Sequence, residues 1–280
     1  MCSVHQPWLF QWKTGRILRS MSNVESHAPG SFCWIELGTT DQQAAKTFYF
    51  RLLGWQVTDF PMGPGEAYSM FQLNGRDMAG GYTLRKDQRE NGVPTHWMLF
   101  IAVDNADTTA AKVAKAGGVV VVPPFDVMDI GRMAVFQDPT GAVFSVWQAK
   151  KHRGIGANGS GTLCWADLNT TDPERAARFY ADIFSWSVTK SEHDPSGYFH
   201  IKNGEHFIGG MPPAGRSDPQ TPPHWMLYFA VADVAVTVAI ASAAGSKVIM
   251  SATDIPGVGI MAVVSDPQGA VFALFKSARG

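Results

Sequence analysis

Cysteine is scarce in this chain, with three residues in 280. Three cysteines cannot build a disulfide framework, so the sequence favours a reducing compartment, the cytoplasm. Cys33 and Cys164 each lie next to a tryptophan. We expect both to be small buried core residues rather than reactive thiols.

Net charge and long hydrophobic runs are also lacking. The chain has 23 lysine and arginine residues against 24 aspartate and glutamate residues, a formal net charge of −1. This balance gives no electrostatic basis for binding nucleic acid. A transmembrane helix needs about 20 predominantly apolar residues in succession, and the sequence contains no such run. We therefore expect neither nucleic acid nor a membrane as a partner.

What the sequence does contain is a tandem duplication. The segment 34–41 (WIELGTTD) returns as 165–172 (WADLNTTD), 131 positions later (165 − 34). Two further blocks return 128 positions later. One begins at His96 and has its counterpart at His224 (224 − 96), and the other is a closing Asp-Pro-x-Gly block. Three blocks in the same order indicate a repeat, which agrees with the length expected for about two domains.

Each half predicts the order strand, helix, three strands, and contains it twice. A strand over 32–38 is followed by Asp41, a residue suited to cap a helix, and Gly54 is suited to end it. A second strand begins at His96, and a helix over 104–116 leads to three more strands. The second half repeats this pattern.

The repeat also sets the predicted domain boundaries. The first residues have no counterpart before the second copy, and a basic, Gly-rich stretch separates the two copies. We predict a leader over 1–30 that is disordered or a mis-assigned start, a first domain over 31–149, a linker over 150–161 and a second domain over 162–280.

These motifs resemble the vicinal oxygen chelate superfamily, which includes glyoxalase I, bleomycin-resistance proteins and extradiol dioxygenases. The resemblance rests on the WIELGTTD-type block, the following Phe-Tyr and Leu-Gly-Trp, and the closing Asp-Pro-x-Gly-x-x-Phe strand, over about residues 31–276. The sequence is similar in particular to tandem glyoxalase-like proteins. The resemblance implies an α+β fold of two tandem glyoxalase-like domains. Each domain has two βαβββ modules that form a cup-shaped mixed sheet, and the cup holds the site.

The resemblance also implies where a divalent metal is bound in related enzymes. Those positions fall on Trp34, Met98 and Ser145 in the first half, and on Trp165, Met226 and Ala273 in the second. Indole and methyl groups cannot ligate, a serine hydroxyl is weak, and a thioether prefers soft metals. We therefore predict no metal and no other cofactor, which disfavours a conventional metal-dependent glyoxalase I or dioxygenase. A relocated divalent metal at Glu36 and His96 is an alternative, but two ligands are too few.

Side chains alternate across a strand, so the polar residues next to these positions share their face. We name Glu36, His96, Asp167 and His224 as candidate catalytic or hydrogen-bonding residues, with Tyr68 and Tyr198 as further ligand contacts. In the alternative reading, each carboxylate holds a neighbouring amide or pairs with its own histidine, and both tyrosines are packing residues.

Three functions are compatible with this pattern. The leading hypothesis is a protein that binds a small aromatic or apolar molecule in one or both cups. The second is a lyase, isomerase or hydroxylase of the superfamily that uses the Glu/His or Asp/His pair in acid–base chemistry. The third is a degenerate scaffold that acts through protein contacts. The duplication predicts pairing of the two domains within the chain, and a homodimer is left open.

Overall fold

The computed structural model of the chain describes residues 26–155, 159–190, 197–214 and 220–278. The predicted leader therefore lies largely outside the described residues, and so do three residues of the predicted linker, 156–158. None of the helices in the described ranges is long and apolar enough to cross a membrane.

The predicted order of elements is confirmed in both halves. The first half consists of β1 (Phe32–Thr39), α1 (Gln42–Leu53), β2 (Gln56–Gly63), β3 (Glu66–Leu73), β4 (Arg76–Thr83), α2 (Lys86–Glu90), β5 (His96–Ala102), α3 (Ala106–Lys115), β6 (Val119–Val127), β7 (Gly131–Gln137) and β8 (Val143–Ala149). The second half consists of β9 (Leu163–Asn169), α4 (Pro173–Phe184), β10 (Ser187–Lys190), β11 (Phe199–Asn203), β12 (His206–Met211), β13 (His224–Ala230), α5 (Val234–Ala243), β14 (Lys247–Ile255), β15 (Gly259–Ser265) and β16 (Val271–Ser277). The short helix α2 was not predicted.

Each half forms one open, mixed sheet of eight strands. The strand order is β2-β3-β4-β1-β5-β8-β7-β6 in the first sheet and β10-β11-β12-β9-β13-β16-β15-β14 in the second. Strand β1 runs parallel to β4 and antiparallel to β5, and β5 runs parallel to β8. The two βαβββ modules of a half therefore lie side by side, with the first strand of each module at the centre of the sheet.

Local sequence explains where the helices begin and end. The Asp41 carboxylate accepts a hydrogen bond from the Ala44 amide at 2.9 Å and so caps α1. Gly54 follows α1 with a φ of 73°, a left-handed conformation that glycine adopts without strain. Asp172 caps α4 in the same way, through the Arg175 amide at 3.0 Å.

The two faces of each sheet carry different residues. Ile35 and Leu37 pack in a large apolar core together with residues of the helices, whereas Trp34 belongs to a separate cluster on the other face. We call the face of the first sheet that carries Trp34, Glu36 and Met98 the first cup. The face of the second sheet that carries Trp165, Asp167 and Met226 is the second cup.

The two domains share the large core and are joined by reciprocal hydrogen bonds. Tyr49 on α1 donates to the Asp266 carboxylate of the second domain at 3.0 Å, and Tyr180 on α4 donates to Asp138 of the first domain at 3.0 Å. Trp97 donates its indole N–H to the Tyr49 hydroxyl at 3.1 Å. All five side chains are buried. The two strand tryptophans, Trp97 and Trp225, lie in the large core and therefore face away from the cups.

Candidate functional site

The predicted residues of the first half lie in adjacent rows on one face of the sheet. Trp34 pairs with Phe100 on β5, and Phe100 pairs with Ser145 on β8. In the next row, Glu36 pairs with Met98. Trp34 and Ser145 are therefore separated by Phe100 rather than by Met98, which lies one row further along the cup.

The second half has the same arrangement. Trp165 pairs with Tyr228, Tyr228 pairs with Ala273, and Asp167 pairs with Met226. The position that holds Phe100 in the first cup thus holds a tyrosine in the second cup, and this difference changes the surroundings of the carboxylate.

Asp167 in the second cup is held by three donors. Its oxygens accept hydrogen bonds from the Trp165 indole at 2.9 Å, the Tyr198 hydroxyl at 2.5 Å and the Tyr228 hydroxyl at 2.7 Å. Only 5% of the residue is exposed. Burial raises the pKa of the Asp167 carboxyl, while the three hydrogen bonds lower it. The carboxylate is a fixed, buried acceptor for these side chains.

Glu36 in the first cup has fewer donors. It accepts a hydrogen bond from the Tyr68 hydroxyl at 2.8 Å, and the Trp34 indole donates to Tyr68 at 3.4 Å rather than to the carboxylate. Phe100 supplies no hydroxyl. Burial raises the pKa of Glu36 to about 7, against the opposing effect of the Tyr68 hydrogen bond. A carboxyl with this pKa can exchange a proton near neutral pH.

The two histidines lie on the cup strands but do not bond to the carboxylates. Within the described residues, His96 Nδ1 is 2.8 Å from the Pro94 carbonyl oxygen, and His224 Nδ1 is 2.9 Å from that of Pro222. Burial lowers the pKa of His96. In the described part of the chain, neither His96 nor His224 therefore pairs with the carboxylate of its cup, and Glu36 and Asp167 bond to tyrosine instead.

The paired glycines of β4 and β12 allow the tyrosines to reach the carboxylates. A Cβ atom at Gly210 would overlap the Tyr198 hydroxyl, and one at Gly80 would overlap the Tyr68 hydroxyl. Each tyrosine ring therefore lies directly against the backbone of a neighbouring strand. These glycines recur in both halves, and in each half a tyrosine side chain lies close to the glycine backbone.

We expect Gly210→Ala to lower the free energy of unfolding by about 1–3 kcal/mol, because the new methyl group must displace the Tyr198 ring. Denaturant unfolding measures the loss. Gly63→Ala is the matched control, since the nearest atom to a Cβ at Gly63 is 3.9 Å away and its φ is not left-handed. The loss should shrink in a Tyr198→Ala background; an equal loss in that background would contradict this explanation.

One side chain in the first cup belongs to the predicted linker. The His152 ring lies edge-on to Trp34, with ring centroids 4.5 Å apart, and the Trp147 indole donates to the His152 carbonyl oxygen at 2.9 Å. The Ile155 amide donates to the Cys33 carbonyl oxygen at 2.8 Å. The linker therefore packs on the first cup at this point instead of forming an exposed connection.

The two corresponding cysteines differ as a result. Cys33 is 1% exposed, whereas Cys164 is exposed. The prediction that both are buried core residues is wrong for Cys164, because no described segment packs on the second cup as residues 152–155 pack on the first.

Sequence reasoning missed Tyr228 and His152. Tyr228 follows Met226 by two residues, so strand alternation alone places it on the cup face. His152 could not be found in this way, because it lies outside any strand.

The side chains in the sheet rows that hold the predicted metal positions Trp34, Ser145, Trp165 and Ala273 do not fit a divalent metal. Trp34 and Phe100 offer no ligand atom, and Ser145 contributes only a buried hydroxyl that has no hydrogen-bond partner in the described part of the chain. In the second cup the corresponding row is Trp165, Tyr228 and Ala273. Over the described ranges, no group of three or more His, Cys, Asp or Glu side chains is placed to hold a metal ion.

Comparisons with known proteins agree with this geometry of two similar halves. The sequence model described as Glyoxalase/Bleomycin resistance protein/Dioxygenase superfamily matches residues 31–146 and 162–274. A Mycobacterium tuberculosis protein named "Putative glyoxylase CFP32" is 42% identical over 265 residues, which cover 92% of this chain and 99% of the relative. The anthracycline biosynthesis protein DnrV of Streptomyces peucetius is 32% identical, over 90% of this chain and 95% of the relative.

Solved structures of the same fold include a metal-bound glyoxalase and a dioxygenase. The Mn(II)-bound glyoxalase from Novosphingobium aromaticivorans has a TM-score of 0.63 and 15% identity, covering 88% of this chain and 82% of that chain. The 2,3-dioxygenase LapB from Pseudomonas sp. KL28 has a TM-score of 0.61 and 13% identity, covering 88% and 93%. At such identities the likeness shows the fold alone. The family match over both halves shows that the chain belongs to the glyoxalase/bleomycin resistance protein/dioxygenase superfamily.

Proposed function

We propose that this chain binds a small, largely apolar aromatic molecule in a cup, without a metal. The observation that carries the proposal is that aromatic and methionine side chains surround one carboxylate in each cup, which accepts hydrogen bonds from tyrosine. An apolar cavity wall with a few convergent polar groups is the usual profile of a small-molecule site. Two relatives are named anthracycline biosynthesis proteins, and an anthracycline carries a fused aromatic ring system, which supports an aromatic ligand.

Isothermal titration with 1-naphthol in the presence of EDTA tests this proposal. We expect saturable binding whose affinity is the same with and without the chelator. Trp165→Ala should weaken binding about tenfold or more, because a large aromatic contact is lost. Phe50→Ala is the control, since Phe50 is an exposed aromatic residue on α1, outside both cups. Binding that requires added Mn²⁺ or Zn²⁺ would contradict the proposal.

A second candidate function is acid–base catalysis at Glu36. It is favoured by the pKa of about 7, because a general acid or base works best when its pKa lies near the operating pH. The proposal is a lyase, isomerase or hydroxylase reaction. Its test is activity on an aldehyde or aromatic substrate that persists in EDTA and is lost in Glu36→Gln.

A further inference from the structure

The two cups are not equally available to a ligand. In the first cup, Trp34 is 5% exposed and Phe100 is 2% exposed. The corresponding Trp165 in the second cup is only half-buried. The same fold thus has a covered cup and a more open cup, and the difference comes from what packs on each.

The chain itself occupies part of the first cup. The His152 ring contacts both Trp34 and Trp147, with centroid distances of 4.5 and 5.9 Å. The backbone of His152 is held by its amide, which donates to the Ile130 carbonyl oxygen at 3.0 Å. Ile155 packs against the same cluster, and its carbonyl oxygen is 2.7 Å from His27 Nε2. A ligand in this part of the first cup would have to displace the linker.

The apolar lining of the second cup is accessible in part. The half-buried side chains that pack against its buried residues are Trp165, Met226, Met250, Met261 and Phe275. Methionine side chains are flexible and polarisable, so they adapt to flat aromatic surfaces. Such a lining fits a planar aromatic ring system better than a polar substrate.

The second cup also has a tyrosine hydroxyl, that of Tyr228, at the position where the first cup has Phe100. Tyr228 donates its hydroxyl proton to Asp167 at 2.7 Å. Within the described residues its oxygen receives no hydrogen bond, so a lone pair is left to accept one. A hydroxyl that donates to a carboxylate becomes a stronger acceptor, because hydrogen bonds in a chain polarise one another. Phe100 holds this position in the first cup and provides no such group.

We infer that the second cup is the ligand site and that it selects an aromatic molecule with an N–H or O–H donor, which it directs at the Tyr228 hydroxyl oxygen. This inference rests on the proposed function. The aromatic rings of Trp165 and Phe275 and the three methionines supply contact area. The Asp167–Tyr228 pair distinguishes aromatic molecules that carry an N–H or O–H donor from those that lack one.

The test is isothermal titration of the full chain with 1-naphthol and with its methyl ether, 1-methoxynaphthalene. We expect one 1-naphthol per chain, bound about tenfold more tightly than the methyl ether, since one hydrogen bond is worth about 1.4 kcal/mol. Tyr228→Phe should remove this tenfold preference and leave the affinity for the methyl ether unchanged. Tyr82→Phe is the matched control, because it removes a half-buried tyrosine hydroxyl from the first domain, and it should keep the preference.

Three results would overturn the inference and leave the proposed function standing. They are two naphthol molecules bound per chain, equal affinity for naphthol and its ether, and loss of the preference in Tyr82→Phe instead of Tyr228→Phe. Failure of both naphthalene compounds to bind would instead overturn the proposed function itself. If Tyr228→Phe unfolds, a crystal structure of the wild-type chain with 1-naphthol locates the ligand, and density in the first cup would count against the inference.

Discussion

Replacing Asp266 by alanine is expected to lower the free energy of unfolding by about 3–5 kcal/mol. Asp266 is 2% exposed, and its carboxylate accepts hydrogen bonds from the Gln268 and Ala270 amides at 3.0 and 2.9 Å and from Tyr49 of the other domain. The substitution leaves three donors without a partner, and each buried unsatisfied group costs about 1–3 kcal/mol. Guanidinium chloride unfolding, followed by tryptophan fluorescence, measures the loss.

Two further variants separate the effect of the hydrogen bonds from the Gln268 and Ala270 amides from the effect of the contact between domains. Tyr49→Phe removes the cross-domain hydrogen bond to Asp266 and the bond from the Trp97 indole within the first domain, and should cost about 1–2 kcal/mol. Asp182→Ala is the control, because Asp182 is exposed on α4 and has no partner in the described structure, and it should change stability by less than about 0.5 kcal/mol. If Asp266→Ala destabilised the second domain while the first unfolded as before, the two domains would not be coupled through this contact.

The duplicated sequence was sufficient to predict the fold because the order strand, helix, three strands occurs four times with local signals. Asp41 and Asp172 mark helix starts, and strand alternation separates Trp34 from Ile35. Such signals depend on neighbours a few residues away, so one sequence contains them. The same alternation placed Glu36 and Asp167 on the cup faces.

The partners of those carboxylates could not be predicted in this way. The Tyr198–Asp167 hydrogen bond joins two residues 31 positions apart, and it forms only because β12 pairs with β9 in one register and offers a glycine beneath the ring. His152 reaches the first cup because Gly154, at a φ of 102°, turns the linker against the Cys33 carbonyl group. Both features depend on tertiary packing that the sequence pattern does not encode locally.

The second large effect concerns pH. We expect the free energy of unfolding of the wild type to fall relative to that of Glu36→Gln as the pH rises from about 4.5 to about 7. Buried His152, whose pKa is lowered to about 4, has the opposite effect on stability in this window, and it acts equally in both proteins. The pKa of Glu36 is about 7 in the folded chain, against a model-peptide value of 4.5. Between these values the folded state binds a proton that the unfolded state has lost. The contribution of Glu36 to stability therefore decreases with rising pH in this window, by about 3 kcal/mol in total at 1.36 kcal/mol per pKa unit.

The glutamine side chain keeps an oxygen that can accept a hydrogen bond from the Tyr68 hydroxyl. It carries no charge at any pH. Glu36→Gln should therefore match the wild type near pH 4.5 and be more stable by about 3 kcal/mol at pH 8. Denaturant unfolding of both proteins between pH 4.5 and 8.5 measures the difference. Glu66→Gln is the matched control, since Glu66 is exposed on β3, and its profile should follow that of the wild type. A Glu36→Gln variant with the wild-type pH profile would show that Glu36 ionises at its ordinary pKa, and the case for acid–base chemistry in the first cup would lose its support.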